Sequence, residues 1–326
     1  MQVPYSGFLF EVISLGQVIH SLGSYRWKLF LIRDHMFAYN LEKEATKFMK
    51  RSEPVGMKFL RQSEAVEAFF RRRWPNGFIC PSCGHDTHYT ITTRQLPLYE
   101  CRLCRHQTTV TAGTVMDKTR TPLSKWAAAL DVLSSTSGVN AKRLASIIGV
   151  KHKTAWLMMR KLRQAIGDVE AASKLEGTVH MGLDILAPKR IFIFLPHRRY
   201  RCERVVSVSA SIANSSSMPT SLKLRHVDRS LLVSGYKVLT QEGQDRIVSE
   251  QVRPGTEPTW LHPNRMDHSP IRDCLLQARA WMNRLFNGVG SKYLQTYLNE
   301  FAFRWNAAAR GTDTRDAWYG LCFRAS

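Results

Sequence analysis

Apolar positions along the 326-residue chain change their period part-way, and the change divides it into a helical and a strand-like region. Between Phe59 and Trp74, Leu60, Val66, Phe69 and Phe70 recur at helical spacing until Pro75, Asn76 and Gly77 interrupt them, which predicts a short amphipathic helix. Arg71, Arg72 and Arg73 then form a basic knuckle. Thr121 followed by Pro122 reads as an N-cap with proline in the first turn; Leu123, Trp126, Ala127, Leu130 and Leu133 share a face of the next helix, and Gly138 closes it. After Gly177 the period shortens: Thr178–Leu186, residues 190–195 and Arg204–Ile212 are apolar runs of strand length. A polar stretch at 214–220 interrupts the strands, and residues 252–270 are rich in proline and turn formers. The chain closes on a helical pattern, with Leu294, Tyr297, Leu298, Phe301 and Trp305 at three- and four-residue steps.

The first 56 residues mix apolar patches with a helix-like run at 40–50 and carry no recognisable site. They are either an N-terminal helical extension or sequence upstream of a start at Met57. The apolar stretch from Tyr5 to Ile19 lacks a basic lead and contains Glu11, and the longest charge-free run, 12–25, is shorter than the ~20 residues that span a bilayer. A cytoplasmic protein without membrane contact is expected. Hydrophobic residues at 44% and charged residues at 22% exclude a disordered chain, while 47 Lys and Arg against 26 Asp and Glu, a net charge of +21, point to a polyanionic partner.

Seven cysteines are too few and too unevenly spaced for a disulfide scaffold. Four of them form two Cys-x-x-Cys knuckles, Cys80–Cys83 and Cys101–Cys104, with 17 residues between the pairs. Two such turns can present four thiolates to one tetrahedral ion; a closed shell of soft anionic sulfur suits a structural Zn2+ and leaves no position for substrate. A redox pair or an iron-sulfur site is the alternative. His85, His88 and His106 lie nearby, and with four cysteines present they read as surface or phosphate-facing residues rather than ligands.

Residues 140–163 have a helix-turn-helix pattern: Leu144, Ile148, Val150, Ala155, Met159 and Leu162 are spaced to pack inward, Ala145 permits close helix approach and Gly149 makes the turn. Lys151, His152, Lys153 and Thr154 begin the second helix, where such a motif meets base edges, while Arg160, Lys161 and Arg163 can face phosphates. A purely structural helical hairpin would use the same small-residue turn.

These elements in this order resemble the zinc-ribbon insertion-sequence transposases of the ISXO-two-like group, also called the IS fifteen-ninety-five family. The resemblance is carried by the stretch from Arg73 to Cys83, by the stretch from Tyr99 to Val115, by the helix-turn-helix, and by residues 288–306, which look like the family's closing helix. It spans about residues 57 to 310. It implies a multidomain α+β chain: an extension at 1–56, a zinc ribbon with its preceding helix at 57–118, a helix-turn-helix region at 119–170, an RNase H-like α/β domain at 171–310 and a tail at 311–326. The implied partner is double-stranded DNA at insertion-sequence ends, bound by a homo-oligomer. The implied chemistry is metal-dependent transposition by acidic residues that hold two divalent ions.

At the family's acidic positions this chain departs from the pattern. The first acid, which follows a Gly-x-Val-Glu-x-Asp pattern, falls on Gly182; the second, before a Gly-aromatic pair, falls on Ser234; the third falls on Arg272 or Asp273, with Arg279 as the nearby basic residue. Asp184, two residues along the same strand and so about 6.6 Å away on the same face, could hold one ion together with Asp273. The expectation is a DNA-binding protein of transposase descent that has lost strand-transfer chemistry, with Mg2+ relevant only if catalysis survives. An active enzyme with displaced acids, or a DNA-binding regulator built on the old fold, is the alternative.

Overall fold

The computed structural model describes residues 59–134, 138–186, 203–213, 218–234, 238–262, 269–286 and 289–323. Internal contacts divide the chain into Met1–Arg51 and Ser52–Ser326, and all described residues belong to the second unit. The expected helix at 40–50 and strand at 190–195 lie outside the described residues.

Helix α1, Gln62–Arg73, starts with a reciprocal cap in which the Arg61 amide donates to Glu64 Oε2 at 2.8 Å, and it buries Ala65 and Phe69. A three-stranded antiparallel sheet follows, β1 His88–Ile91, β2 Leu98–Cys101 and β3 Gln107–Thr109. Helix α2, Leu123–Leu133, is capped by Pro122 rather than by Thr121, and all five residues of its predicted apolar face are buried. Helix α3, Ala141–Ile148, begins where Asn140 Oδ1 accepts from the Arg143 amide at 2.9 Å; it ends at Gly149, whose φ of 66° turns the chain into α4, His152–Ala172. Leu144, Ile148, Ala155, Met159 and Leu162 are buried as their spacing requires, and Val150 is partly buried against the same core.

These pieces share one core. Phe69, Trp74, Phe78 and Tyr99 from the small sheet and its helix pack with Trp126, Leu130, Leu144, Met159 and Leu162, and with Trp318 and Tyr319 from the far end of the chain. Residues 311–326, expected as a tail, instead contain helix α8, Thr314–Leu321, with Trp318, Tyr319 and Leu321 buried. Asp316 accepts from Arg72 at 2.8 Å, Arg315 pairs with Asp131 at 2.7 Å, and the Cys322 carbonyl accepts from the Val115 amide at 3.2 Å. A boundary at 118/119 therefore separates no independent cores: the cysteine module and the helices after it are one packed body, closed by α8.

A second sheet has the order β6-β5-β4-β7, where β4 is Thr178–Leu186, β5 Arg204–Ile212, β6 Pro219–His226 and β7 Thr259–Trp260. The first three form an antiparallel meander, and β7 runs parallel to β4. Alternation on β4 sends Val179, Met181 and Leu183 to one face, where Leu231, Leu239 and Ile247 of helix α5, Gln241–Gln251, and the turn before it pack against them. Asp184 points to the other face, where α6, Pro270–Phe286, reaches it with Arg279. Helix α7, Ser291–Ala309, closes the outer edge of the sheet. Asn306 accepts from the Leu222 amide at 2.7 Å and donates to its carbonyl at 2.9 Å, and Gln295 does the same for His226 and Leu224 at 2.8 and 2.9 Å. Two amide side chains thus stand in for a neighbouring strand and cover an edge that would otherwise template association.

Candidate metal centre and nucleic-acid interface

The two cysteine knuckles have the same backbone. The Cys80 amide donates to the His85 carbonyl at 2.8 Å and the Cys101 amide to the His106 carbonyl at 2.9 Å; Gly84 and Arg105, each just after its second cysteine, donate back to Cys80 and Cys101 at 2.9 and 3.1 Å. Both of these residues take left-handed backbone, φ 74° at Gly84 and 59° at Arg105, which curls each turn round its sulfurs. Cys80 and Cys101 are buried and Cys83 and Cys104 exposed, so the cluster faces the core on one side and solvent on the other.

The sulfurs fit a metal. Cys80 Sγ lies 3.6 Å from Cys104 Sγ and Cys83 Sγ 3.6 Å from Cys101 Sγ, and all four are within 4.8 Å of one another. A tetrahedral ion with bonds of about 2.3 Å needs edges of about 3.8 Å. Burial pushes the Cys80 thiol up, but the backbone amides of Cys83 and Ser82 and the neighbouring sulfurs outweigh it and bring the group down to about 6. At Cys83 the His85 amide pulls downward, yet crowding by the Cys104 sulfur, burial and the other two sulfurs drive the thiol up to about 12. The Cys80 thiolate forms readily and the Cys83 thiol resists ionisation, so a divalent cation would be what lets Cys83 ionise beside it. Among the described residues, no other group of three His, Cys, Asp or Glu brings ligand atoms this close.

The histidines have separate fates. His88 is packed against Phe78, Tyr99 and Phe70 with ring centroids 4.6, 5.3 and 6.0 Å away, and burial together with the Arg102 charge lowers its pKa, so it is a neutral packing residue rather than a phosphate contact. His85 bonds Thr87 Oγ1 at 2.7 Å, and His106 is exposed. Nor is the basic knuckle available as a whole. Arg73 is half-buried and donates to the Thr109 and Val110 carbonyls at 3.0 and 2.8 Å, Arg72 is held by Asp316, and Arg71 pairs with Glu67.

Lys151 is the N-cap of α4 and is exposed, as are His152 and Lys153, with Thr154 half-buried behind them. The first turn contains no acid. A helix N-terminus carries partial positive charge and is ordinarily matched with Asp or Glu. Lysines at 151 and 153 are therefore unfavourable for the helix alone and favourable once an anion sits there. Arg160 and Lys161 are exposed further along, Lys161 Nζ also donating to the Asp117 carbonyl at 3.0 Å. Arg163 differs from its expected place among the phosphate-facing cations: it is buried, and its Nε donates to Glu300 Oε2 at 2.7 Å.

In the second sheet, Gly182 is buried on β4 and Asp184 is half-buried, 3.7 Å from Arg279, whose guanidinium also donates to the Ile185 carbonyl at 2.7 Å. Asp273 is exposed in the first turn of α6, and Arg272 beside it is half-buried. Ser234 is exposed in the turn of a small hairpin bridged at Leu232 and Leu239, whereas the strand bonded to β4 on its open side is β7. Just past β7, the Leu261 amide donates to the Met181 carbonyl at 2.7 Å, which continues the parallel pairing toward Gly182. β7 has only two residues in a proline-rich stretch, so no period marked it in advance.

No described helix is long and apolar enough to cross a membrane. Comparison with curated proteins and with solved structures returns no match. Residues 60–107, from just before α1 through both knuckles to the start of β3, match a transposase zinc-ribbon domain of the IS1595 type, and the Cys80, Cys83, Cys101 and Cys104 cluster lies within that match.

Proposed function

We propose that the chain binds double-stranded DNA at insertion-sequence ends, with α3 and α4 acting as a helix-turn-helix and α4 as its reading helix, and that it does not cut or join DNA. The observation that carries the reading is the acid-free, lysine-bearing N-terminus of α4 standing on the same core as a transposase-type ribbon. A ribbon fixed to the reading helix turns two weak DNA contacts into one body with a set spacing, and no linker entropy is then lost on binding. The order β6-β5-β4-β7, an antiparallel meander with the fourth strand parallel to the first, supports an RNase H-like reading of the second sheet. Its metal-binding positions would be Gly182, Ser234 and Arg272. Glycine offers no ligand and arginine repels the ions, and a two-metal site needs several carboxylates to offset the charge it gathers.

The test uses zinc-loaded protein, the flanking DNA ends and random duplex. A base contact discriminates by about 1–3 kcal/mol, whereas a phosphate contact weakens all sequences alike. Lys153→Ala should therefore weaken binding to the cognate end more than to random DNA, and equal loss on both would refute α4 as the reading helix. Incubation with Mg2+ or Mn2+ should give no nicked or joined product. Turnover that vanishes in Asp184→Ala would establish the displaced-acid enzyme instead.

A further inference from the structure

A groove runs between α4 and α7, beside the buried face of α4. It consists of two adjoining cavities of about 310 and 400 Å3 that share Trp156, Arg163, Tyr293 and Tyr297, a size at which small ligands are held. Trp156 and Tyr293 meet edge to face with centroids 6.2 Å apart, and Tyr293 is 36% exposed at the mouth. Arg160 stands over Trp156 at 5.6 Å. The floor is Arg163, its side chain 6% exposed, stacked 4.0 Å over Tyr297 and paired through Nε with Glu300. Its Nη2 is buried and has no hydrogen-bond partner. A buried guanidinium nitrogen left unpaired is costly, so an acceptor that reached it through the groove would remove that cost.

We infer that this groove takes one nucleotide unstacked from a DNA strand, with the base against Trp156 and Tyr293 and an acceptor of the nucleotide on Arg163. The inference rests on the DNA-binding reading above and adds a contact of a different kind to it. Aromatic faces accept any base, and cations track the backbone. Gln164 and Asn299 supply amides on the wall; Asn299 Oδ1 already accepts from Gln295 at 2.6 Å, which leaves its amide nitrogen to donate. Gly167 keeps that wall open, because a Cβ there would lie 3.3 Å from the Asn299 nitrogen. Asp168, exposed at one end, is the one acid among the lining residues, outnumbered by Lys142, Arg160 and Arg163. A base inside a duplex offers no face to an aromatic ring. Extrusion is easiest where pairing is already absent, which places the preferred substrate at a strand end or a single-stranded tail.

The experiment compares a blunt duplex with the same duplex carrying a short single-stranded tail, by fluorescence anisotropy on the zinc-loaded full chain. The tailed DNA should bind about 10-fold more tightly. Tyr293→Leu, at a partly exposed site, should abolish that advantage while leaving blunt-duplex affinity and the melting temperature unchanged, and Tyr293→Phe should keep it. Equal affinity for blunt and tailed DNA, or an advantage that survives Tyr293→Leu, overturns the inference while duplex binding stands. Failure to bind either DNA overturns the DNA-binding reading with it. Titration with deoxyadenosine monophosphate separates the sources: saturable binding of the free nucleotide without any tail advantage overturns the assignment to a strand.

Discussion

Glu300→Gln should be among the most destabilising single changes that keep side-chain size. Glu300 is 1% exposed on α7 and is the shared partner of two guanidiniums, Arg163 from α4 at 2.7 Å and Arg304 at 2.9 Å. Burial pushes the carboxyl up, but the Arg163 and Arg304 charges more than compensate and hold it below the usual carboxylate range. A unit pair near 4 Å attracts by about 4 kcal/mol at an effective dielectric of about 20, against several kcal/mol of desolvation per ion, so the intact cluster is a modest net contributor. Removing one charge is different, because the glutamine leaves two buried cations facing each other, and measured losses for such breaks are about 3–5 kcal/mol. For a body of this size that is a fall of roughly 6–20 °C in melting temperature at neutral pH. The sign with pH follows from the lowered folded pKa: the stabilisation is present above the ordinary carboxylate range and is lost as pH falls through the folded value. The gap between wild type and Glu300→Gln in a thermal melt should therefore close on acidification. A gap under about 2 °C at pH 7, or one that does not shrink toward acid, would refute the reasoning.

Metal removal should reach beyond the ribbon. Cys80 and Cys101 are buried with Phe78 and Tyr99 in the core that includes Trp126 and Trp318, so chelation or Cys83→Ser should lower the metal content from one zinc per chain and change tryptophan emission; emission unmoved by complete loss of zinc would count against the shared core. Arg105→Gly should stabilise by about 0.5–1 kcal/mol, since an L-residue at positive φ is strained and the exposed pair with Glu100 contributes little; a lowered melting temperature would contradict this. Gly182→Asp should lower the melting temperature and restore no nicking, because a lone carboxylate on a buried strand position gains no metal partner, and recovered turnover would show that one acid suffices.

What the sequence disclosed follows the range of each interaction. The four cysteines announced their module because the knuckles are local, and α2 and the pair around Gly149 were legible because their apolar periods are long and regular. β4 and β5 were bounded correctly for the same reason. β7 was missed because two residues in a proline-rich stretch carry no period, and its pairing with β4 is set by contacts 79 residues apart, His180 with Thr259. α8 was missed because Trp318, Tyr319, Leu321 and Cys322 follow a helical face only two turns long, and Arg72 and Asp131, the partners of its Asp316 and Arg315, lie far back in the chain. Arg163 looked like its neighbours Arg160 and Lys161; only the position of Glu300 on another helix decides that it turns inward.

The same distinction limits what the net charge of +21 can do. Each phosphate neutralised by a side chain contributes about −0.9 to the slope of log affinity against log salt. Composition treats all 47 Lys and Arg alike, but several are committed within the fold: Arg72 to Asp316 and the Tyr319 ring, Arg73 to two carbonyls, Arg163 and Arg304 to Glu300. Arg160, by contrast, is exposed on α4 in line with Lys153. Arg160→Ala should therefore reduce the salt slope for duplex DNA by about one unit, measured by anisotropy between low and physiological salt. Arg72→Ala should leave the slope as it was and instead lower the melting temperature, since it unties α8 from α1. If Arg72→Ala costs a full unit of slope while Arg160→Ala costs none, the DNA runs along the ribbon's helix rather than along α4.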